Sequence, residues 1–361
     1  MFKFRDLLFL KSILISNFSR LNFPLKVSYA VTYRCNLRCK MCNIWKKDSF
    51  HSELTTKEIY TFFKNANKFY WVGITGGEPF LRADLPEIMD IILGHCSRLS
   101  AVHFATNGQL TDKIVSLVKY IHKRNRKLQI VFTVSVDGPP LLHNEIRGKA
   151  GAWENAVNTF MLLKDMKSVK PQIGFTFSSH NLGRFEDTFI SLREVYPAIR
   201  FDDININIFQ KSSIYYENQD MQDFDHGKLL DEIKRILSMD KDSFSTNNFL
   251  RRKYLRLYPT YLRTKRYPLK CQALSSTCFL DPYGNLFPCL VYNKRLLNVK
   301  DIKKGLGLIW NEDYAKNLSF ECSNNICPSC WSPCDAYSAI GGSLLESLFK
   351  RDEKDIIKEY C

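Results

Sequence analysis

Between Lys26 and about Gln210 a short apolar segment followed by an amphipathic one repeats six times, and nothing else in the 361 residues constrains the fold as strongly. The strand segments are Val27–Thr32, Trp71–Thr75, Ala101–Ala105, Gln129–Val136, Gln172–Ser178 and Ile204–Phe209. They are apolar throughout and often β-branched, as parallel strands buried on both faces are. Helical spacing of apolar residues recurs over roughly 84–97, 111–123, 152–166 and 184–196. Thr55-Thr56-Lys57-Glu58 fits a capping box ahead of Ile59, Phe62 and Phe63. Six βα units with right-handed crossovers make either a barrel or a doubly wound sheet, and periodicity does not choose between them.

Ligands of a βα barrel collect at the C-terminal ends of its strands. The first strand runs into Cys35-Asn-Leu-Arg-Cys39-Lys-Met41-Cys42, three thiols in eight residues with no fourth before Cys96. Thiolates select zinc, copper(I) or iron–sulfur clusters. A structural zinc wants four closed ligands, whereas three leave one iron of a cubane open. The second strand ends in Thr75-Gly76-Gly77-Glu78-Pro79, where two glycines open the backbone and a carboxylate can meet an ammonium group. The third ends in Thr106-Asn107-Gly108 and the fourth in Ser135-Val136-Asp137-Gly138, with Arg147-Gly148 beyond. Ser178 and Asn181 close the fifth, and Asn205 and Asn207 are polar residues within the apolar sixth, which calls for a partner or a site.

This succession resembles the radical SAM superfamily over residues 27 to about 210. The resemblance selects a partial (β/α)6 TIM-like barrel with a small C-terminal cysteine-rich α+β extension. It implies that Cys35, Cys39 and Cys42 hold a [4Fe-4S] cluster whose open iron binds S-adenosyl-L-methionine. Gly76, Gly77, Glu78 and Pro79 would take the cofactor's amino group, Ser135 and Asp137 would bond ribose hydroxyls or substrate, Asn107 would join the cofactor site, and Asn207 would read ribose or adenine. Arg147 would pair with the methionyl carboxylate through its two-pronged guanidinium. The residue before the third cysteine is often aromatic in the family; here Met41 offers a thioether to the adenine face. The implied reaction is reductive cleavage of the sulfonium to a 5′-deoxyadenosyl radical, which abstracts hydrogen from an unactivated carbon.

Seven of the twelve cysteines fall between 271 and 334. Cys271-x12-Gly284-x4-Cys289 brackets a turn, Asp281-Pro282-Tyr283-Gly284-Asn285, and so a two-stranded ribbon. It resembles the opening of a SPASM or twitch auxiliary domain. Cys322-x4-Cys327-x2-Cys330-x3-Cys334 is shorter than the full SPASM spacing. One auxiliary [4Fe-4S] cluster is expected, on Cys271, Cys289, Cys327, Cys330 and Cys334, with Cys278 and Cys322 left for a second. A zinc ribbon in a non-catalytic scaffold is the competing reading.

The net charge of +15 suggests an acidic partner, such as a flavodoxin- or ferredoxin-like electron donor or an anionic membrane. No secretory signal is evident, so metal ligation in a reducing cytoplasm is favoured over disulfides. Residues 1–25 form an N-terminal amphipathic helix, basic and too short to span a bilayer, which either lies peripherally on a membrane through residues 1–20 or packs on the barrel. The remaining domains are the core at 26–216, a basic helical linker at 217–270, the auxiliary domain at 271–340 and a helical tail at 341–361. Leu250 to Lys270 holds eight Lys/Arg and no acid, among Tyr254, Tyr258, Tyr261 and Tyr267. Nucleic acid is not the expected partner, because a solvated linker with tyrosines packed on the barrel accounts for the pattern better. A peptide or protein and a lipid or other small molecule both remain open as substrates.

Overall fold

The computed structural model describes residues 4–47, 52–239, 245–302 and 304–344, with side chains from residue 7. The tail expected beyond Leu344, Cys361 included, lies outside them. In chain order the helices and strands are α1 (Phe4–Phe18), β1 (Lys26–Thr32), α2 (Thr56–Asn65), β2 (Trp71–Gly76), α3 (Leu85–His95), β3 (Ala101–Thr106), α4 (Thr111–Arg124), β4 (Gln129–Ser135), α5 (Pro140–Arg147), α6 (Ala152–Lys164), β5 (Val169–Phe177), α7 (Phe185–Val195) and β6 (Ile204–Ile208). There follow α8 (His226–Met239), α9 (Thr246–Thr264), β7 (Thr277–Leu280), β8 (Asn285–Phe287), β9 (Leu297–Asn298), α10 (Leu306–Trp310), α11 (Asp313–Ser323) and α12 (Pro333–Gly342).

The strand order, β6-β5-β4-β3-β2-β1-β7-β8-β9, settles the architecture. A doubly wound sheet reverses direction about a central strand; here β1 to β6 run in sequence, all parallel, as in a partial barrel. β7 adds to the other side of β1, also parallel, from Lys26↔Thr277 to Tyr29↔Leu280. The cysteine ribbon is therefore continuous with the core sheet. β8 returns antiparallel through the turn, where Asp281 accepts the N–H groups of Tyr283 and Asn285 at 2.9 and 2.7 Å.

Alternation within the strands sorts the side chains. Val27, Tyr29, Val72, Ile74, Val102, Phe104, Phe132 and Val134 face the helices and form the main core. The opposite face is polar: His103 Nε2 meets Thr133 Oγ1 at 2.8 Å, and the Asn207 amide donates to Thr176 Oγ1 at 3.5 Å. β5 begins three residues before its expected start, through Pro171. That proline pairs with Phe132 of β4, while pairing to β6 starts only at Ile173, so its missing N–H interrupts no bond on that side.

α5 lies outside the expected helices; Pro140 at its first turn and Gly148 in the left-handed conformation just past its end are its signals. Among the described residues, the basic linker forms two helices, α8 and α9. Tyr254 is buried, stacks on Trp331 with centroids 5.4 Å apart and donates its hydroxyl to the Trp331 carbonyl. Its neighbour Tyr258 is buried too, so this face of the basic stretch is core. Between β6 and β7 the barrel is closed by α12, whose Tyr337 hydroxyl donates to Asn205 Oδ1 at 2.6 Å.

Candidate functional site

The loop from Thr32 to Asn43 carries the three cysteines and is fastened on three sides. Gly77 N–H donates to the Thr32 carbonyl at 2.9 Å and Glu78 N–H to that of Arg34 at 2.8 Å. This approach explains the paired glycines. A Cβ on Gly77 would stand 2.3 Å from the Arg34 carbonyl oxygen, and one on Gly76, at φ +143°, 2.1 Å from that of Thr32. On the second side, Arg38 and Lys40 donate backbone N–H groups to Arg147 and Ile146, at 3.1 and 2.8 Å. On the third, Asn43 N–H donates to the Tyr216 carbonyl and the Asn218 amide to that of Met41.

The three thiols share one small region. Burial pushes Cys35 up to about 11 and Cys42 up to about 12, and each feels the charge of Cys39 and of Arg147. Iron ligation would reverse this, because a metal binds the thiolate. Asn107 donates its amide to Asn36 Oδ1 at 2.8 Å and lies 4.0 Å from the Cys35 sulfur. Arg147 places Nη1 3.6 Å from the Cys39 sulfur and pairs through Nη2 with Asp137. Asp137 is fully buried, accepts the Thr176 N–H at 2.8 Å and donates its own N–H to His143 Nδ1 at 3.0 Å.

Two expected roles look different in three dimensions. Glu78 is fully buried and accepts from Thr106 Oγ1, Asn107 N–H and Phe80 N–H at 2.9, 2.8 and 3.3 Å. Burial raises its carboxyl to about 7 against the pull of these donors. It ties the end of β2 to the end of β3, and any ammonium it meets would be additional. Arg147 already has a carboxylate partner in Asp137, but its buried Nε has none. An acceptor such as a ligand carboxylate would complete it, so the residues present fit the expected cofactor.

Met41 lines a cavity of about 220 Å³ with Lys40, Ser178, His180, Phe209 and Met221. Phe209 also lines a second cavity of about 260 Å³, with Tyr258, Tyr261, Val291, Pro328 and Ser329. Pro328 and Ser329 are the residues between Cys327 and Cys330. Ser135 and Pro79 stand at the ends of β4 and β2 beside this mouth. Asn207 faces the barrel interior, whereas Asn205 is engaged by Tyr337 and Asn181 by the backbone of Asp137 and Thr176.

Residue order alone misses Tyr215. Its hydroxyl donates to the Gly76 carbonyl at 2.9 Å, accepts the Gly76 N–H at 3.2 Å and meets Thr75 Oγ1 at 2.7 Å. It comes from an irregular loop after β6 and belongs to no motif. His143 escapes in the same way; Pro140, which opens its helix, is the available signal.

Farther along, Cys271, Cys289, Cys327 and Cys330 form a second group of thiols. Burial raises Cys271, Cys289 and Cys330, and each also feels the charge of Asp335 and of Cys327. Cys322 shares a hydrogen bond with Cys327. Cys334, expected in this set, is exposed; its N–H is capped by Ser332 at the start of α12 and its carbonyl accepts Lys26 Nζ at 2.6 Å. Cys278 packs beside β1, its sulfur 3.8 Å from the Lys26 carbonyl oxygen, and Cys96 is an ordinary core residue. Among the described residues no group of three or more His, Cys, Asp or Glu side chains is arranged to hold a single metal ion.

The family model of the Radical SAM superfamily matches residues 29–189. The antilisterial bacteriocin subtilosin biosynthesis protein AlbA of Bacillus subtilis is 24% identical over 299 residues, covering 81% of this chain and 58% of AlbA. The AdoMet-dependent heme synthase of Oleidesulfovibrio alaskensis is 32% identical over 169 residues, covering 45% of this chain and 41% of the synthase. The chain thus spans about two fifths to three fifths of these curated relatives. Among solved structures, Streptococcus suis SuiB bound to S-adenosylmethionine superposes with a TM-score of 0.58 at 16% identity, covering 83% of this chain and 69% of SuiB. SuiB has also been solved bound to the precursor peptide SuiA, with a TM-score of 0.56.

Proposed function

Over residues 29–189 the chain belongs to the radical SAM superfamily, and from that premise we propose that it is a radical SAM enzyme modifying a peptide. The observation that carries this reading is the fastening of the Cys35–Cys42 loop by Gly76-Gly77, Asn107 and Arg147, which gathers three thiols at the mouth of the barrel.

Cys35, Cys39 and Cys42 would hold a [4Fe-4S] cluster. When bound, the cluster and S-adenosylmethionine together supply one-electron cleavage of the sulfonium and a 5′-deoxyadenosyl radical. The chain's own residues bind and orient. Arg147 Nε takes the methionyl carboxylate, held in place by Asp137. Tyr215 holds the Gly76 backbone and the Glu78 carboxylate ties it to the end of β3, while the Gly77 and Glu78 N–H groups fasten the cysteine loop. The cavity beside Met41 accepts the adenine, with the thioether and the Phe209 ring as apolar walls. Ser135, Thr176 and Asn207 present polar groups to ribose or substrate from the barrel interior.

Cys271, Cys289, Cys327 and Cys330 would hold an auxiliary cluster; the cavity walled by Pro328 and Ser329, next to Cys327 and Cys330, shares Phe209 with the cavity beside Met41. A substrate spanning both cavities would reach from the Met41 side of the mouth to the Cys327–Cys330 segment. The peptide reading rests on AlbA, a bacteriocin biosynthesis protein, and on SuiB with its precursor peptide. A flavodoxin- or ferredoxin-like protein is the proposed electron donor. Anaerobic reconstitution followed by dithionite and S-adenosylmethionine tests the first step: 5′-deoxyadenosine should form without any peptide. Iron loading with no such product would reject the reading.

A further inference from the structure

The end of the barrel opposite the cysteine mouth carries two features that the site does not use. The first is α1. Its inner face is set by Phe9, which stacks on Tyr70 with centroids 5.5 Å apart, by Ile13 against the Gly341-Gly342 backbone of α12, and by the buried Ser16 and Asn17. Tyr70 immediately precedes β2. α12 itself lies at the N-terminal ends of the strands, with Asp335 against Thr277 at the start of β7 and Tyr337 against Asn205 at the start of β6. The outer face of α1 is also apolar: Leu7 is 57% exposed and Phe18 63%, with Leu8, Leu10 and Ile15 exposed beside them and Lys11 between. A helix packed only on its own protein turns polar residues outward.

The second feature is charge. The loops that enter β2, β3, β4 and β5 all lie at this same end, because the strands are parallel. They carry Lys68, Arg98, Arg126, Lys127 and Lys167, with Lys170 just inside β5, every one exposed. An apolar helix face within a rim of cations matches the headgroup region of an anionic bilayer, where burial and charge attraction act together. A second copy of the chain would set the same cations against themselves. Among the described residues no helix is long and apolar enough to cross a membrane.

We propose that the face formed by α1 and the basic loops entering β2–β5 docks on an anionic membrane surface, leaving the cysteine mouth turned toward the solvent. The proposal is independent of the reaction, and either can fail without the other.

Flotation of the full-length, cluster-loaded protein tests it, with vesicles of phosphatidylcholine alone and of phosphatidylcholine with phosphatidylglycerol. The protein should float with the anionic vesicles at low salt and be released at high salt. Leu7→Asp with Phe18→Asp should weaken binding at least about tenfold. Arg126→Gln and Lys167→Gln should each weaken it about fivefold. All four substitutions are at exposed positions and should leave the circular dichroism and the yield of 5′-deoxyadenosine unchanged. Failure to float with either vesicle, or flotation insensitive to both pairs of substitutions, would overturn the proposal. So would a dimer that Phe18→Asp disperses with no vesicle binding, which assigns the stripe to a second copy.

Discussion

Arg147 and Asp137 form an ion pair that ties the end of α5 to the end of β4, directly beside Cys39. The carboxylate is fully buried and the guanidinium almost so, and removing one partner of such a pair strands the other. Arg147→Met should therefore cost the apo chain about 3–5 kcal/mol in urea unfolding. Adding Asp137→Asn removes the stranded charge and should restore part of that loss. A double variant no more stable than the single one would mean that the pairing is not what the loop depends on.

Backbone contact makes the glycines unequal. Gly77→Ala places a methyl group 2.3 Å from the Arg34 carbonyl oxygen, so the cysteine loop must shift. The variant should still fold but lose most S-adenosylmethionine binding, measured by equilibrium dialysis on reconstituted protein. Gly94, inside α3, faces open space where a methyl group would stand, with nothing within 4 Å. Gly94→Ala should stabilise by roughly 0.5–1 kcal/mol through helix propensity. Equal effects of the two substitutions would contradict this.

Glu78 gives the stability a pH dependence of known sign. Its carboxyl is raised to about 7 in the fold, chiefly by burial, from an unfolded value of 4.5. The folded state thus holds the proton more tightly. The associated stability is full below pH 4.5 and is lost as pH rises through about 7. Melting curves of the apo protein should show wild type losing stability over that interval relative to Glu78→Gln. The difference should reach at most about 3 kcal/mol. Parallel curves for the two proteins would show that Glu78 keeps an ordinary carboxyl.

Much of this architecture is legible in residue order, and for physical reasons. Buried parallel strands are apolar runs, so five of the six core strands lie within a residue or so of where those runs predict them. The strand-end residues are recognisable as chemistry because they interrupt apolar runs. What residue order hides is contact across the sheet. The pairing of β7 with β1 joins residues some 250 positions apart, as in Lys26↔Thr277, and no local pattern records it. Tyr215 acts from an irregular loop. Glu78 and Arg147 read as ligand-binding groups in the sequence, yet each already has protein partners that only the fold supplies. The aromatic pattern of α9 is ambiguous for a related reason: a tyrosine beside arginine reads alike whether it meets solvent or Trp331.

Cysteine substitutions separate the auxiliary ligands. Cys289→Ala or Cys330→Ala should lower iron by about four atoms per chain, the content of one cubane, while leaving 5′-deoxyadenosine formation at least partly intact. Cys334→Ala should leave the iron content unchanged, since that residue is exposed and capped at the start of α12. Loss of iron from the Cys334 variant, with retention in the Cys330 variant, would exchange their roles.

The most direct test of the whole account is product analysis on wild type and Cys42→Ala, each reconstituted anaerobically with iron and sulfide and given dithionite and S-adenosylmethionine. Wild type should yield 5′-deoxyadenosine and methionine in equal amounts, and the variant neither. Undiminished product from Cys42→Ala, or an iron-loaded wild type that leaves S-adenosylmethionine whole, would contradict it.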